Sequence, residues 1–312
     1  MRRLGAWLTL VVLVVGGCSS QSGEGLRLYT TVTQETVDAV LASFEAETGQ
    51  TVEVLRVPTG ELNARIASEL RSGGVSADLL WLTDPLSIER YEADGLLAEW
   101  TPVGAERIPD AYTTATSWGT RVLHLVIVVG EGTSPRPTKW TDLAIIDGPI
   151  AIPDPGFAGS AFAALAYFGL TEGLTFYEAL AEAGAVQVQS PGEVVTGVAE
   201  GRFTAGITLD FAARAAMNAG SPISIVWPEP GAVTFHSPIA VTADSNRRKA
   251  AEAFVEFVLS DAGQNAIAQA GWQPVVAGIG AEPPGPQVTL DWSVAVERQD
   301  ELLAGYRDIF GG

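Results

Sequence analysis

The sequence predicts an α/β protein of two lobes, and three observations lead there. Over residues 26–95, short apolar strands alternate with amphipathic helices three times. A second series of the same kind runs over residues 149–227. The chain then turns extended over residues 233–242 and helical over residues 247–259, as a returning segment would. Strands and helices alternating at these spacings imply parallel sheet covered on both faces.

The chain opens with Met1-Arg2-Arg3, an apolar run over residues 4–15, and Gly16-Gly17-Cys18. A basic tip, a short apolar stretch and small residues describe an export signal over residues 1–17. The run is too short to cross ~30 Å of hydrocarbon comfortably as a helix. Cys18 is the only cysteine of the 312 residues, so the chain has no internal disulfide. Val15-Gly16-Gly17-Cys18 resembles the bacterial lipobox, which implies cleavage before Cys18 and a diacylglycerol on its sulfur. The alternative is an ordinary export signal with a chance cysteine. Residues 19–25 are small and polar, a short spacer.

Residues 26–30 alternate as a strand. Thr31-x-x-Gln34 reads as a capping box, and Val37, Val40, Leu41 and Phe44 fall at helical spacing before Gly49. Residues 52–57 form the next strand, Pro58-Thr59-Gly60 the turn, and Leu62, Ile66 and Leu70 mark a second helix closed by Gly73-Gly74. Residues 78–82 are apolar enough for a strand buried on both faces. Thr83-Asp84-Pro85 leads into a helix that stops at Gly95. Residues 122–129 are extended and 149–153 form a strand. Residues 154–160 turn, and a helix runs from Ala161. Further helices are expected over residues 176–183, after Gln189-Ser190-Pro191, and from Asp210-Phe211 to Ala219, with strands over 204–209 and 223–227. A Gly/Pro linker over 280–286 precedes a terminal helix or helix pair over 292–310.

Composition narrows the function. The chain is 47% hydrophobic with a formal charge of −19, and loss of Arg2 and Arg3 with the leader would make it −21. A body this acidic argues against nucleic acid and against a polybasic membrane patch. Backbone N–H groups can still bind an anion locally. There is no Gly-x-Ser-x-Gly elbow, no Walker loop, no His-Glu-x-x-His and no cysteine nucleophile after Cys18. A Ser160/His236/Asp210 triad has no spacing to support it, so an enzyme is not expected. A lipoprotein that only scaffolds a partner complex is the third class.

A family likeness rests on motifs in order: the lipobox, Tyr29-Thr30-Thr31, Pro58-Thr59-Gly60-Glu61-Leu62, Ala77-Asp78-Leu79-Leu80-Trp81 and Gly159-Ser160-Ala161. Gly206-Ile207-Thr208-Leu209-Asp210, Pro228-Glu229-Pro230-Gly231, residues 253–260 and Gly271-Trp272-Gln273-Pro274-Val275 follow. Together they resemble the solute-binding proteins of ABC importers, in the branch that includes ferric-ion, aminoethylphosphonate and sugar-phosphate binders. The resemblance implies the periplasmic-binding-protein fold of type II: two lobes joined by two crossing strands, with the ligand cleft between them. It implies crossings near residues 122–128 and 233–241. Lobe 1 is then residues 26–122 with 240–276, and lobe 2 is 123–239 with 277–312. It further implies an extracytoplasmic, lipid-anchored monomer that serves an importer permease and needs no cofactor.

In such sheets ligands sit beyond the carboxyl ends of the strands. The turns there, Thr30-Thr31, Thr59-Gly60-Glu61 and Thr83-Asp84, are small and polar, and each precedes a helix. In relatives, the loop matching Gly159-Ser160-Ala161 offers N–H groups and a hydroxyl to an oxyanion, as a helix N-terminus can. Thr30, Thr31, Thr59 and Ser190 are candidates to complete the oxygen shell. Glu61 is a candidate partner for a ligand amine, or a first-turn glutamate favouring the helix dipole. Ferric-binding relatives carry paired tyrosines where this chain has Asp210-Phe211, so iron(III) held by phenolates is disfavoured. A carboxylate metal site from Glu61, Asp84 and Asp210 stays open as the alternative, for iron(III) or a ferric chelate, and Asp210 is also a candidate helix cap. Trp81, Phe157, Phe211 and Trp227 fall near the expected cleft edges. His124 and His236 fall on the crossings, where packing is their expected role. The expected ligand is a small solute with an oxyanion head.

Overall fold

The computed structural model describes residues 25–311. Cys18 and the leader lie outside them. The first unit is β1 (Leu26–Thr30), α1 (Gln34–Thr48), β2 (Val52–Arg56), α2 (Thr59–Arg71), β3 (Leu79–Trp81) and α3 (Pro85–Ala93). A long strand β4 (Ser117–Gly130) leads to β5 (Ile150–Pro153), α4 (Gly159–Thr171), α5 (Thr175–Glu182), β6 (Val186–Val188), α6 (Pro191–Ala199), β7 (Ala205–Leu209), α7 (Asp210–Asn218) and β8 (Ile223–Val226). The chain returns through β9 (Ala232–Val241), α8 (Arg248–Leu259), α9 (Asp261–Gln269) and β10 (Gln273–Pro274). It ends in β11 (Gln287–Val288), α10 (Trp292–Glu297) and α11 (Gln299–Phe310).

The main strand order is β2-β1-β3-β9-β4-β7-β5-β6. β1, β2 and β3 are mutually parallel, as are β5, β6 and β7. β4 and β9 join the two groups. They run antiparallel to each other from Ser117 opposite Ala240 to Leu125 opposite Val233. Beyond Leu125, β4 pairs with β7 and β8, while the far end of β9 pairs with β3. Each crossing strand is therefore shared between the two halves. Every residue of β9, and of β4 up to Val129, is buried, as their largely apolar sequences require, with Arg121, His124 and His236 among the polar exceptions.

Helices cover both faces. Leu62, Ile66, Leu80 and Tyr91 form a core under α2 and α3, and Val128, Val194, Val198 and Ala213 form another under α6 and α7. On the opposite face, Phe44 of α1 meets Phe254 and Phe257 of α8 edge-on, with ring centroids 5.0 and 5.2 Å apart. Burying a side chain of that size contributes roughly 1.5–3 kcal/mol. The C-terminal segment touches both halves: α10 packs on α3 and α4, and α11 on α4 and α5.

Local signals explain most boundaries. Gly49 ends α1 with φ 69°, a left-handed turn that favours glycine. Asp84 caps α3 through the Ser87 N–H, and Ser190 caps α6 through the Glu193 N–H, each followed by proline at the first helical position. The capping box expected at Thr31 and Gln34 does not form. Thr31 instead accepts the Thr83 N–H at 2.8 Å, and α1 begins after Thr33. The helix expected from Ala161 starts at Gly159, because the Asp154-to-Ala158 turn closes on itself through the Asp154 carbonyl. β6 and α9 have no counterpart in the sequence reading. Asp261 opens α9 and pairs with Arg107.

The two halves meet at their mouths. The Thr59 N–H donates to the Phe157 carbonyl at 3.2 Å, and Gly60 lies against the Gly156 carbonyl, where a Cβ would overlap the oxygen. Gly60→Ala should therefore hold the halves apart while leaving the helix intact, since alanine favours a helix by up to about 1 kcal/mol over glycine. Solution scattering should give a larger radius of gyration than wild type at unchanged or higher melting temperature. Identical scattering curves would show that this contact does not limit closure.

Candidate functional site

A cleft of about 400 Å³ lies where the two groups of strands face each other. Strand ends and helix starts supply its walls. Thr31 and Thr33 come from the turn before α1, Pro58 and Thr59 from the start of α2, and Thr83 from the turn before α3. From the other side come Gly159 and Ser160 of α4, Ser190 and Gly192 of α6, and Phe211 of α7. The topology thus aims several helix N-termini at one volume. Each carries unsatisfied N–H groups and partial positive charge.

At α4 those donors are uncommitted. Among the described residues, the N–H groups of Gly159, Ser160 and Ala161 meet no protein acceptor. The first to be used is that of Phe162, 3.0 Å from the Ala158 carbonyl. Gly159 is required at this helix start, because a Cβ there would lie 2.5 Å from Asp84 Oδ2 and 2.9 Å from Thr59 Oγ1.

Arg121 lines the cleft from β4 and is fully buried. Its guanidinium lies over the Trp272 ring, with Cζ 4.0 Å from the centroid, and Phe211 stacks on the same indole at 4.0 Å. The one hydrogen bond it makes is long, from Nη1 to Thr36 Oγ1 at 3.4 Å, and its Nε has no partner. None of the ion pairs among the described residues involves Arg121. Burial lowers its pKa from 12.5 to about 9, so it remains a cation at neutral pH. Arg56 adds a second guanidinium at the rim, donating to the Val32 carbonyl at 2.8 Å. Glu193, the one carboxylate on the lining, accepts the Gln189 N–H at 2.9 Å and so caps α6. A chain of net charge −19 has built a locally positive cleft.

Residues 26–273 match the family described as bacterial extracellular solute-binding protein. The chain belongs to that family. Comparison with curated protein sequences gives no match. Among solved structures, iron-bound HitA from Pseudomonas aeruginosa is similar at a TM-score of 0.80 and 20% identity, covering 91% of this chain and 99% of that one. AfuA from Actinobacillus pleuropneumoniae, with fructose-6-phosphate bound, matches at 0.80 and 19%, covering 91% and 98%. The substrate-binding protein of an ABC transporter from Agrobacterium tumefaciens matches at 0.79 and 18%, covering 91% and 96%. Identities this low establish a shared fold: the two-lobed type II periplasmic-binding-protein architecture.

Within this solute-binding protein, the residues singled out from sequence divide into two groups. Thr31, Thr59, Gly159, Ser160, Ser190 and Phe211 line the cleft, as does Phe157. Six others lie elsewhere. Thr30 is fully buried, donating to the Trp81 carbonyl at 2.7 Å and accepting the Val32 N–H. Gly60 sits at the interlobe contact and faces a neighbouring cavity. Glu61 is exposed on α2. Asp84 is fully buried behind Gly159, with Oδ1 on the Ser87 N–H at 2.8 Å. Ala161 is buried one residue into α4 from the lining. Asp210 opens α7 and holds Arg214 Nε at 2.9 Å.

Glu61, Asp84 and Asp210 do not converge. Among the described residues, no group of three or more His, Cys, Asp or Glu comes together to hold a metal. His124 is hydrogen-bonded on both ring nitrogens, to Thr234 Oγ1 at 2.8 Å and Gln273 Oε1 at 2.6 Å, while His236 packs on Tyr112. Trp81 is core, its Nε1–H given to Thr120 Oγ1 at 2.9 Å. The sequence reading missed Arg121, Arg56 and Trp272 as cleft residues, and placed Thr83 in a turn at the strand ends without making it a ligand candidate. The signal for Arg121 was available: it is the lone charge in a run of uncharged residues from Thr116 to Thr120 and Val122 to Val129.

Asp84 carries a measurable consequence. Burial raises its carboxyl from 3.8 to about 6, against the Ser87 hydrogen bonds, which pull it down. The folded state then holds this proton more tightly than the unfolded chain. The associated stability is fully present below about pH 4 and is lost as pH rises through about 6, a change of roughly 3 kcal/mol. Asp84→Asn keeps a competent cap and removes the charge. Urea melts at pH 4.5 and 7.5 should show wild type losing roughly 2 kcal/mol more than the variant over that interval.

Proposed function

We propose that this solute-binding protein captures a small solute with an oxyanion head, of the phosphonate, sugar-phosphate or related class, and delivers it to an ABC importer. The observation that carries the reading is Arg121. A buried guanidinium without a carboxylate partner costs several kcal/mol of desolvation, and an anionic ligand offsets that cost on binding. The free N–H groups of Gly159, Ser160 and Ala161 suit the same anion. Thr31, Thr59, Ser160 and Ser190 supply hydroxyls for its remaining oxygens, while Phe157, Phe211 and Trp272 offer an apolar wall to its body. Fructose-6-phosphate, bound in the AfuA structure, belongs to this class. Iron, bound in the HitA structure, fits here as an anionic chelate, because a bare cation would face Arg121 and Arg56 with no phenolate to hold it.

The chain performs no chemistry on its ligand in this reading. It acts as a monomer whose lobes, residues 26–122 with 240–276 and 123–239 with 277–312, close on the solute. Export, cleavage before Cys18 and a lipid on its sulfur would keep it at the outer face of a membrane.

Two experiments test these statements. Calorimetric titration with inorganic phosphate, 2-aminoethylphosphonate and a hexose phosphate should identify a binder. Arg121→Gln should then weaken it by roughly 1.5–3 kcal/mol, the range for hydrogen bonds to charged groups. Ser160→Asp should weaken it further by setting a carboxylate against the anion in a low-dielectric cleft. Unchanged affinity in Arg121→Gln overturns the oxyanion reading and leaves the fold assignment intact. Separately, Cys18→Ser should abolish the membrane-pelleted, detergent-extractable pool and lipid labelling. A variant that fractionates like wild type would show that Cys18 is not the anchor.

A further inference from the structure

One carboxyl of this chain is buried where the two halves meet. Asp84 stands at the start of α3, in the first half, and is fully buried. The start of α4, from the second half, lies directly on it. The Cβ that Gly159 lacks would sit 2.5 Å from Asp84 Oδ2 and 3.2 Å from Asp84 Cβ. The Ser87 N–H serves Oδ1 at 2.8 Å, while Oδ2 has no hydrogen-bond partner. The N–H groups of Gly159 and Ser160, close as they are, do not donate to it. A carboxylate sealed in this way loses its water and gains little in return.

No cation compensates it. α4 carries no charged residue. On α2, Glu61 is exposed and Arg65 pairs with Glu69. Asp154, in the turn before α4, takes the Gly156 N–H at 2.7 Å. Further along α3, Arg90 pairs with Asp300 of α11 at 3.5 Å, and Glu89 faces Glu92 and Asp291. Tyr91, the titratable group within electrostatic reach of Asp84, donates to Asn63 Oδ1, and burial raises its phenol so that it stays neutral. The positive end of the α4 dipole favours an ionised carboxyl, but by less than the loss of water disfavours one. Burial accordingly raises Asp84 from 3.8 to about 6.

We propose that closing the lobes is coupled to uptake of a proton by Asp84, so that acid favours the closed, solute-retaining arrangement and rising pH favours opening. This coupling rests on the reading that the lobes close on a solute, and not on the chemistry of that solute. Parting the halves takes α4 off the carboxyl and lets water reach Oδ2, which returns the group towards its ordinary range. Between those two values Asp84 is protonated when the lobes are closed and ionised when they are open. Closure there takes up a proton, and the closed-to-open ratio falls as pH rises through about 6. From pH 5 to pH 7.5 the fall is about tenfold. Above that interval the carboxyl is ionised in both arrangements and the dependence ends.

Wild type, Asp84→Asn and Gly60→Ala, each verified as folded by a melting curve, provide the test without any ligand. Asparagine matches the shape of a neutral aspartic acid and keeps the cap. The methyl added in Gly60→Ala meets the Gly156 carbonyl and does not touch Asp84. Solution scattering at constant ionic strength should show wild type larger at pH 7.5 than at pH 5, and Asp84→Asn equally compact at both. The side-chain carboxyl carbon of Asp84, followed by NMR and recognised by its absence from Asp84→Asn, should titrate at about 6 in wild type and towards about 4 in Gly60→Ala. The coupling is overturned if wild type and Asp84→Asn respond to pH alike. It is overturned equally if the carboxyl titrates at the same pH in wild type and Gly60→Ala while their radii differ. If Gly60→Ala keeps the wild-type radius throughout, the lobes do not part at this seam, and the closure reading fails together with the coupling. Neither result bears on the oxyanion in the cleft.

Discussion

The antiparallel pairing of β4 with β9 is the constraint on which the rest of this molecule depends. Among the described residues it joins the halves through one ladder, from Ser117 opposite Ala240 to Leu125 opposite Val233, with a register shift at Thr120. Several polar groups embedded in it are satisfied across the junction. Thr120 Oγ1 gives its proton to the Ser237 carbonyl at 2.8 Å and takes the Trp81 Nε1–H, while Gln264 from α9 donates to the Thr120 carbonyl at 3.0 Å. Each such group would cost about 1–3 kcal/mol if left unpaired. The register of the crossing is therefore tightly specified, and it decides that the side chain of Arg121 reaches the cleft.

That cation explains why the cleft and the body differ in sign. A net charge of −19 repels anions at long range, but exposed charges beyond about 8 Å are largely screened at physiological salt. Inside the cleft the screening fails. There the relevant charges are Arg121, the rim guanidinium of Arg56 and the converging helix starts. A buried Arg paired with a carboxylate would already be neutralised. Here the Trp272 face and a long contact to Thr36 are what hold it, and neither cancels its charge. The acidic surface then contributes solubility and the cleft contributes selectivity, with little interference between them.

The parts of this design that were legible in sequence are those written in local code. The strand-helix alternation, Gly49 after α1, Asp84-Pro85 before α3 and Ser190-Pro191 before α6 each act within a few residues, so their positions could be read directly. The cleft residues at helix starts, Thr31, Thr59, Gly159, Ser160 and Ser190, were legible for the same reason: fold topology puts strand ends together. What was hidden depends on partners far apart in the chain. Asp84 looked like a cleft carboxylate, yet packing against Gly159 from the other half seals it in. Asp210 looked like a ligand or a cap until Arg214, one helical turn on, claimed it. Thr30 turned inward because the Trp81 carbonyl, 51 residues away, needed a donor. Arg121 and Trp272 are 151 residues apart, and no local pattern announces that one lies over the other. β6 and α9 were missed because one is three residues long and the other reads as a continuation of the helix before it.

Gly159 shows how closely stability and function are coupled at the interlobe seam. Its missing Cβ lets the Asp84 carboxyl and the Thr59 hydroxyl approach the start of α4 from the opposite half. The same absence leaves the helix N–H groups open to the cleft on their other side. A side chain there would separate the halves and cover the donors at once. The buried Asp84 carboxyl is destabilising when ionised; the Ser87 N–H at the start of α3 lessens that cost, and the start of α4 lies on its other side. Opening the lobes would take α4 away and admit water in its place. The seam between the halves therefore joins two demands at one glycine: the close approach of Asp84 and Thr59 from one half, and the open N–H groups of α4 on the other.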